Sequence, residues 1–140
     1  AGVYRGFQRQ YRRGKTSRVT QMLAGSSYRQ NPIIAAYLSG ADECADLDPA
    51  QIRETGINEP LINWHSIDGD LALAGIRASG GWADYASDRA LSRYARLLRD
   101  TQGLSVLPAS TAGLHALLAQ HAKTPLPADR YVAILTGRKV

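Results

Sequence analysis

The chain has 140 residues, 44% of them hydrophobic and 21% charged, which is ordinary for a soluble domain that buries a core. No apolar run approaches the roughly 18 residues of a membrane span, and no signal peptide is visible, so we expect no membrane association. The single cysteine, Cys44, excludes an internal disulfide, and we expect a cytoplasmic protein.

The net charge of +5 is unevenly distributed along the chain. Seven basic residues precede the first acid, Asp42, whereas the remainder holds ten basic and twelve acidic residues. Arg5, Arg9 and Arg12 recur at helical spacing, which is typical of a solvated helix face. A nucleic-acid-binding surface remains an alternative, although no aromatic residues alternate with these arginines to stack bases.

The amino-terminal part of the sequence predicts two helices on either side of one strand. Val3 and Phe7 lie on one stripe of an amphipathic helix that ends at Gly14. Residues 19–24 are short and apolar, and they predict a buried strand followed by a Gly25-Ser26-Ser27 loop. Asn31 and Pro32 supply the cap and first turn of a second helix, which ends at Gly40.

The remaining sequence predicts alternating strands and helices after an irregular stretch at 41–63, in which Asp48-Pro49 begins a short helix. The predicted elements are a helix from Ser66 to Gly80, a strand at 82–86, a helix capped by Ser87-Asp88 and ended by Gly103, a strand at 104–107, a helix at 111–122 and a strand at 131–135. This order predicts one α/β domain spanning 1–140, a parallel sheet with helices on both faces in three α/β/α layers.

In parallel sheets of this kind, ligands bind beyond the carboxyl ends of the strands. The prediction places three polar turns there, at 25–27, 108–111 and 136–137. Metal binding is not expected, because His115 and His121 are six residues apart and cannot form the usual helical pair of ligands.

Several short motifs occur in a characteristic order over the full chain. They are Ala1 to Phe7, Asn31-Pro32-Ile33, Glu59 to Trp64, Gly80-Gly81-Trp82, Pro108 to Gly113 and Leu135-Thr136-Gly137. In this order and spacing the sequence resembles the later part of the large domain of fold type II enzymes, which use pyridoxal 5'-phosphate (PLP). The threonine synthase and cysteate synthase branch is the most similar, and relative to that domain the α/β fold would be incomplete.

The resemblance implies roles for three hydroxyl residues. Thr136, in the terminal Leu-Thr-Gly, would contact the pyridine nitrogen of PLP. A hydroxyl leaves this nitrogen largely neutral, which suits elimination and replacement at the β or γ carbon. Ser110 and Thr111, at a helix start, would bind the same nitrogen or shape the cofactor pocket. No catalytic residue is expected in this chain.

The sequence also departs from the family pattern. The lysine that holds PLP and the glycine-rich phosphate loop have no counterpart, since Lys15, Lys123 and Lys139 lie in turn or terminal contexts. The chain begins at Ala1, without a methionine, and lacks the small domain that closes on the substrate. We therefore expect a segment of a larger enzyme that binds PLP only in the intact parent.

The expected parent is a homo-oligomeric lyase or synthase of amino-acid biosynthesis. It would act on a small amino-acid substrate such as O-phosphohomoserine or O-phosphoserine, and a dehydratase of the same fold is the nearest enzymatic alternative. The expected partner of this chain is the missing amino-terminal half or a companion chain. The alternative from another class is a non-catalytic interaction module built on the same fold.

Overall fold

The computed structural model describes residues 1–138. Its helices are α1 (Gly2–Arg12), α2 (Pro32–Ser39), α3 (Gly69–Ala78), α4 (Asp88–Gln102) and α5 (Ala112–Lys123), and its strands are β1 (Leu23–Ser27) and β2 (Trp82–Ala86). Short 3-10 helices cover Pro49–Gln51, Glu59–Leu61 and Pro108–Thr111. Within the described part of the chain, no helix combines the length and apolar character needed to cross a membrane.

The two strands form a parallel sheet in which Leu23 pairs with Trp82 and Ser27 with Ala86. Alternate side chains of β2 point to opposite faces, as in any strand. Trp82 donates a hydrogen bond from Nε1 to the Ala116 carbonyl of α5 at 3.1 Å, whereas the Tyr85 hydroxyl reaches the backbone before α2. Helices therefore cover both faces, and the predicted α/β class, an incomplete three-layer arrangement, is confirmed.

The ends of α2 and α4 lie where local chemistry predicts them. Asn31 caps α2 by accepting hydrogen bonds from the first-turn amides at 3.0 and 3.3 Å, and Gly40 ends the helix in the left-handed conformation, with φ of 75°. Ser87 caps α4 in the same way at 3.3 Å, and Gly103 ends it with φ of 65°. These predicted boundaries are confirmed.

The core lies between the sheet and its helices and is rich in small residues. Its buried apolar residues are Ile34, Ala36, Leu73, Ile76, Ala83, Ala86, Leu91, Tyr94, Ala109, Ala112 and Ala116. The third helix begins at Gly69 and not at the predicted Ser66, so Ile67, which the prediction includes in this helix, precedes it and is 92% exposed.

Strand β1 differs from its predicted position. It covers residues 23–27, so Gly25, Ser26 and Ser27 belong to the strand and not to the loop after it. The apolar run at 19–24 favoured an earlier strand, but the sheet packs tightly against α5 and needs small residues there. A Cβ at Gly25 would lie 2.0 Å from the Ala112 carbonyl oxygen, so only glycine fits this approach.

The predicted strands at 104–107 and 131–135 are not formed. Val106 of the first segment forms an isolated antiparallel bridge with Arg138, three residues beyond the second segment. A strand is held by hydrogen bonds to a neighbouring strand, and residues 1–138 provide none beside either segment. Val132 and Ile134 consequently remain exposed, at 83% and 68%.

Candidate functional site

The carboxyl edge is defined here as residues 25–27, 108–111 and 136–137, the three segments that the sequence predicted as polar turns; the last two of them are in direct contact. The carboxyl half of β1 lies directly against the start of α5, as the close approach of Gly25 to Ala112 shows. Ser26 and Ser27 are buried at the end of this strand, at 4% and 1% exposure. The edge therefore joins a strand end to a helix start.

Ser110 connects two segments that are far apart in the sequence. It lies in the Pro108–Thr111 3-10 helix and is buried. Its hydroxyl oxygen accepts a hydrogen bond from the Gly137 amide at 2.7 Å and donates one to the Gly137 carbonyl at 3.2 Å. The Leu107 amide donates to the same carbonyl at 3.1 Å. Ser110 thus fixes the backbone immediately after Thr136.

The other two predicted site residues have different surroundings. Thr111 is completely buried, and its hydroxyl lies 2.7 Å from the Pro108 carbonyl and 3.1 Å from the Leu91 carbonyl of α4. It therefore ties the 3-10 helix to α4. Thr136 is exposed, and its hydroxyl has no hydrogen bond to residues 1–138, so it is the predicted residue whose hydroxyl is open to a ligand.

The irregular segment 52–62 covers part of the carboxyl edge. The Ser26 hydroxyl donates to the Leu61 carbonyl at 3.3 Å, and Ile57 and Leu61 pack on the core cluster of Ala86, Leu91 and Ala112. The segment therefore covers the Ser26 hydroxyl and part of the apolar core, which a ligand at the strand ends would otherwise contact.

Two buried amides that the sequence did not single out hold this segment in position. The Gln30 side chain accepts from the Arg53 amide at 3.0 Å and donates to the Ser27 hydroxyl at 3.3 Å. Asn58 donates to the Arg53 carbonyl at 3.1 Å and accepts from the Thr55 amide at 2.9 Å. The Asn-Glu-Pro turn was a signal for Asn58, whereas nothing in the sequence marked Gln30.

Tyr28 and Arg29 follow the end of β1, where they lie beside Tyr85 of β2. Arg29 has φ of 56°, a conformation that costs a non-glycine residue about 1 kcal/mol. Its guanidinium lies 5.2 Å from the Tyr28 ring centre, and the Tyr28 and Tyr85 rings meet edge to face at 5.7 Å. Burial raises the pKa of Tyr85, so its hydroxyl is neutral at pH 7. The exposed cation that these residues place near the strand ends is the guanidinium of Arg29.

His115 is part of α5 and contacts β2 and α4. Its Nε2 donates to the Tyr85 carbonyl at 3.0 Å. Nδ1 is buried and has no hydrogen-bond partner among residues 1–138. The ring also packs against Tyr94, with centroids 5.8 Å apart. These contacts identify His115 as a residue of the helix–sheet interface.

The remaining candidates lie away from this edge. His65 Nδ1 meets the Asp46 carboxylate at 2.8 Å on the surface. Burial, together with the Asp70 carboxylate, raises the pKa of the Cys44 thiol, which disfavours a nucleophilic role. The described residues contain no group of three or more histidine, cysteine or acidic side chains arranged to hold a metal.

The comparisons with models of protein families and with curated proteins found no match to this sequence.

Proposed function

We propose that this chain is the carboxyl-terminal segment of a PLP-dependent enzyme of the threonine synthase type. The enzyme would catalyse elimination or replacement on an activated amino acid such as O-phosphohomoserine or O-phosphoserine. The observation that supports the proposal is the pair of hydrogen bonds between Ser110 and Gly137, residues separated by 27 positions. These bonds join the two motifs that the resemblance assigns to one cofactor site.

The hydroxyl groups at the carboxyl edge fit the pyridine side of PLP. The cofactor, when bound, supplies an electron sink for the carbanion that forms on the substrate. Thr136 has an exposed hydroxyl with no hydrogen bond to residues 1–138, so in this proposal it contacts the ring nitrogen. The hydroxyls of Ser110 and Thr111 already bond to backbone groups, and we assign both of them positioning roles.

The lysine that would hold the cofactor must come from another segment. Lys123 pairs with Asp84 at 2.9 Å, and Lys15 follows α1, at the opposite end of the described chain from Ser110. No hydrogen bond or ion pair within residues 1–138 joins either lysine to the carboxyl edge. Lys139 lies outside the described residues. The resemblance places the lysine and the phosphate-binding loop upstream of these residues, so the proposal requires an additional polypeptide segment that carries both.

The test is denaturing mass spectrometry on the protein purified from the cells that make it, combined with its visible absorbance in the native state. We expect PLP attached to a lysine of a longer chain, or of a companion chain, that includes or accompanies these 140 residues. A species containing these residues alone, without cofactor absorbance, would overturn the proposal. If PLP is found, turnover of threonine would indicate the dehydratase, and turnover of O-phosphohomoserine or O-phosphoserine would indicate the synthase.

A second candidate function is a non-catalytic interaction module derived from the same fold. The exposure of Val132 and Ile134, in a segment whose composition favours a strand, supports this alternative. It predicts a folded chain that binds a protein partner through 131–137 and never carries PLP. Protection of these amides from hydrogen exchange in the cofactor-free complex, and not in the free chain, would establish it.

Nucleic-acid binding through the amino-terminal arginines is the weakest alternative, because its basis is charge alone. It predicts affinity for RNA or DNA that falls steeply with salt. Unchanged affinity after reversal of Arg5 and Arg12 to glutamate would exclude it.

A further inference from the structure

Helix α1 presents an apolar groove to the outside of the protein. No residue of this helix is buried, and it meets α3 through Tyr4, which approaches Gly75 so closely that a Cβ there would lie 3.1 Å from the ring. A shallow groove of about 260 Å³ runs along the helix, and its lining residues are Val3, Gly6, Phe7 and Gln10. Val3 is 57% exposed. This face has no cover within residues 1–138.

Arginines border this groove. At about 100° per residue, Arg9 lies closer to the groove than Arg5 and Arg12, which lie on the far side of the helix, and Arg13 follows at the helix end on the side nearer the groove. All four side chains are exposed, and no ion pair within the described residues involves them. The groove is therefore mostly apolar, with Gln10 as its one polar lining residue, and positively charged along one border.

A second surface has the opposite charge. Residues 42–48 carry four carboxylates and no cation: Asp42, Glu43, Asp46 and Asp48. Beside them a cavity of about 220 Å³ opens along α2, with Pro32, Ala35, Ala36 and Leu47 among its lining residues. Glu43 and Asp46 are the acidic residues of its lining. Asp42 pairs with Arg77 at 3.5 Å and Asp46 with His65, whereas Glu43 has no ion pair within residues 1–138.

We propose that α1 of one copy of this chain docks into the acidic cavity beside α2 of a second copy. The charges are complementary, and the lengths match, since α1 from Val3 to Tyr11 and α2 both extend about 10–12 Å at 1.5 Å per residue. A cavity of roughly 150 Å³ holds a benzene molecule, so this cavity accommodates one aromatic side chain of α1. The mode is an amphipathic helix in a groove.

The two surfaces differ, so each copy contributes a helix to one neighbour and a cavity to another. This is head-to-tail association, which gives a ring or an open chain of copies. A lipid surface or a nucleic acid would engage the arginines but leave the acidic cavity unused, whereas a second copy uses both. The inference does not depend on PLP binding, since both surfaces lie outside the carboxyl edge.

The test is sedimentation velocity of the full chain at several concentrations and ionic strengths. We expect the unmodified chain to self-associate, and added salt to weaken the association. Arg9→Glu with Arg13→Glu, and separately Glu43→Lys with Asp46→Lys, should each weaken it about tenfold or more. An equimolar mixture of the two double variants should associate again, because each reversed helix then meets a reversed cavity. That recovery also shows that both variants are folded.

The matched control is Arg5→Glu with Arg12→Glu, which makes the same change in net charge on the far side of the helix. It should weaken association by less than about threefold. A chain that stays monomeric up to about 1 mM would overturn the proposal. So would a mixture that fails to associate, or a control that loses association as strongly as the groove-side variant. The unmodified chain is also sedimented with anionic vesicles and with RNA. If it binds either of them, and the groove-side variant and the control abolish that binding equally, the arginines bind those ligands and not a second copy.

Discussion

The hydroxyl of Ser110 bonds to both backbone groups of Gly137, accepting from its amide at 2.7 Å and donating to its carbonyl at 3.2 Å. One side chain thereby satisfies a donor and an acceptor of a segment that forms no strand. A Cβ at Gly137 would lie 2.9 Å from the Ser110 oxygen and 2.7 Å from Leu107 Cδ1, so the contact is tight. The position of Thr136 depends on this contact, because Thr136 directly precedes Gly137.

The first prediction concerns Ser110→Ala. The substitution removes both hydrogen bonds and leaves the Gly137 amide without its acceptor, so it should lower the free energy of unfolding by about 1–3 kcal/mol. Thr136→Val, at an exposed side chain with no hydrogen bond to the described residues, should change that free energy by no more than about 0.5 kcal/mol. Urea unfolding followed by circular dichroism measures both. Equal stabilities for the two variants would contradict the structural role of Ser110.

The second prediction concerns Gly25→Ala. The added Cβ would lie 2.0 Å from the Ala112 carbonyl oxygen and 2.8 Å from the Gly113 nitrogen, and both are backbone atoms that cannot move independently. We expect a loss of at least about 3 kcal/mol of unfolding free energy, at the upper end of overpacking effects. Gly56→Ala is the control, since no atom lies within 4 Å of its added Cβ. A Gly25→Ala protein with unchanged thermal unfolding would show that α5 lies further from β1.

The boundaries of α2 and α4 were predictable because they depend on short-range chemistry. Asn31 and Ser87 each cap a helix through amides two or three residues away, and Gly40 and Gly103 adopt the positive φ that ends a helix. The order of strands and helices along most of the chain then indicated the α/β class.

The strands were less predictable, since a strand depends on its neighbour. Residues 131–135 have the composition of a strand, but the described chain offers no strand to pair with them. The predicted site shows the same limit. The turns at 108–111 and 136–137 could be expected to meet, whereas the Ser110–Gly137 bonding and the buried Gln30 depend on contacts between distant segments that no local pattern encodes.

The third prediction concerns the reactivity of Cys44. Burial raises the pKa of its thiol, and the Asp70 carboxylate, whose Oδ1 accepts from the Cys44 amide at 2.7 Å, adds to the effect. Asp70→Asn keeps an acceptor for the amide but removes the negative charge, so the pKa of Cys44 should fall and alkylation by iodoacetamide at pH 7 should accelerate several-fold. The rate is followed by mass spectrometry over a pH series. Asp68→Asn, a nearby change of the same charge, should leave the rate unaltered; an equal acceleration there would point to long-range electrostatics.

The fourth prediction tests the role proposed for Thr136 in the PLP-bearing parent. Thr136→Asp places a carboxylate where the proposal puts the ring nitrogen, so it should keep that nitrogen protonated and shift the absorbance of the bound cofactor. Because elimination and replacement suit a neutral nitrogen, kcat should fall by about 10-fold or more while the bound fraction of PLP stays nearly constant. Asp129→Asn is a control elsewhere on the surface, where the Asp129 carboxylate pairs with Arg18. If Thr136→Asp left both the spectrum and kcat unchanged, Thr136 would not contact the ring, and the carboxyl edge would lose its assignment as the pyridine side of the cofactor site.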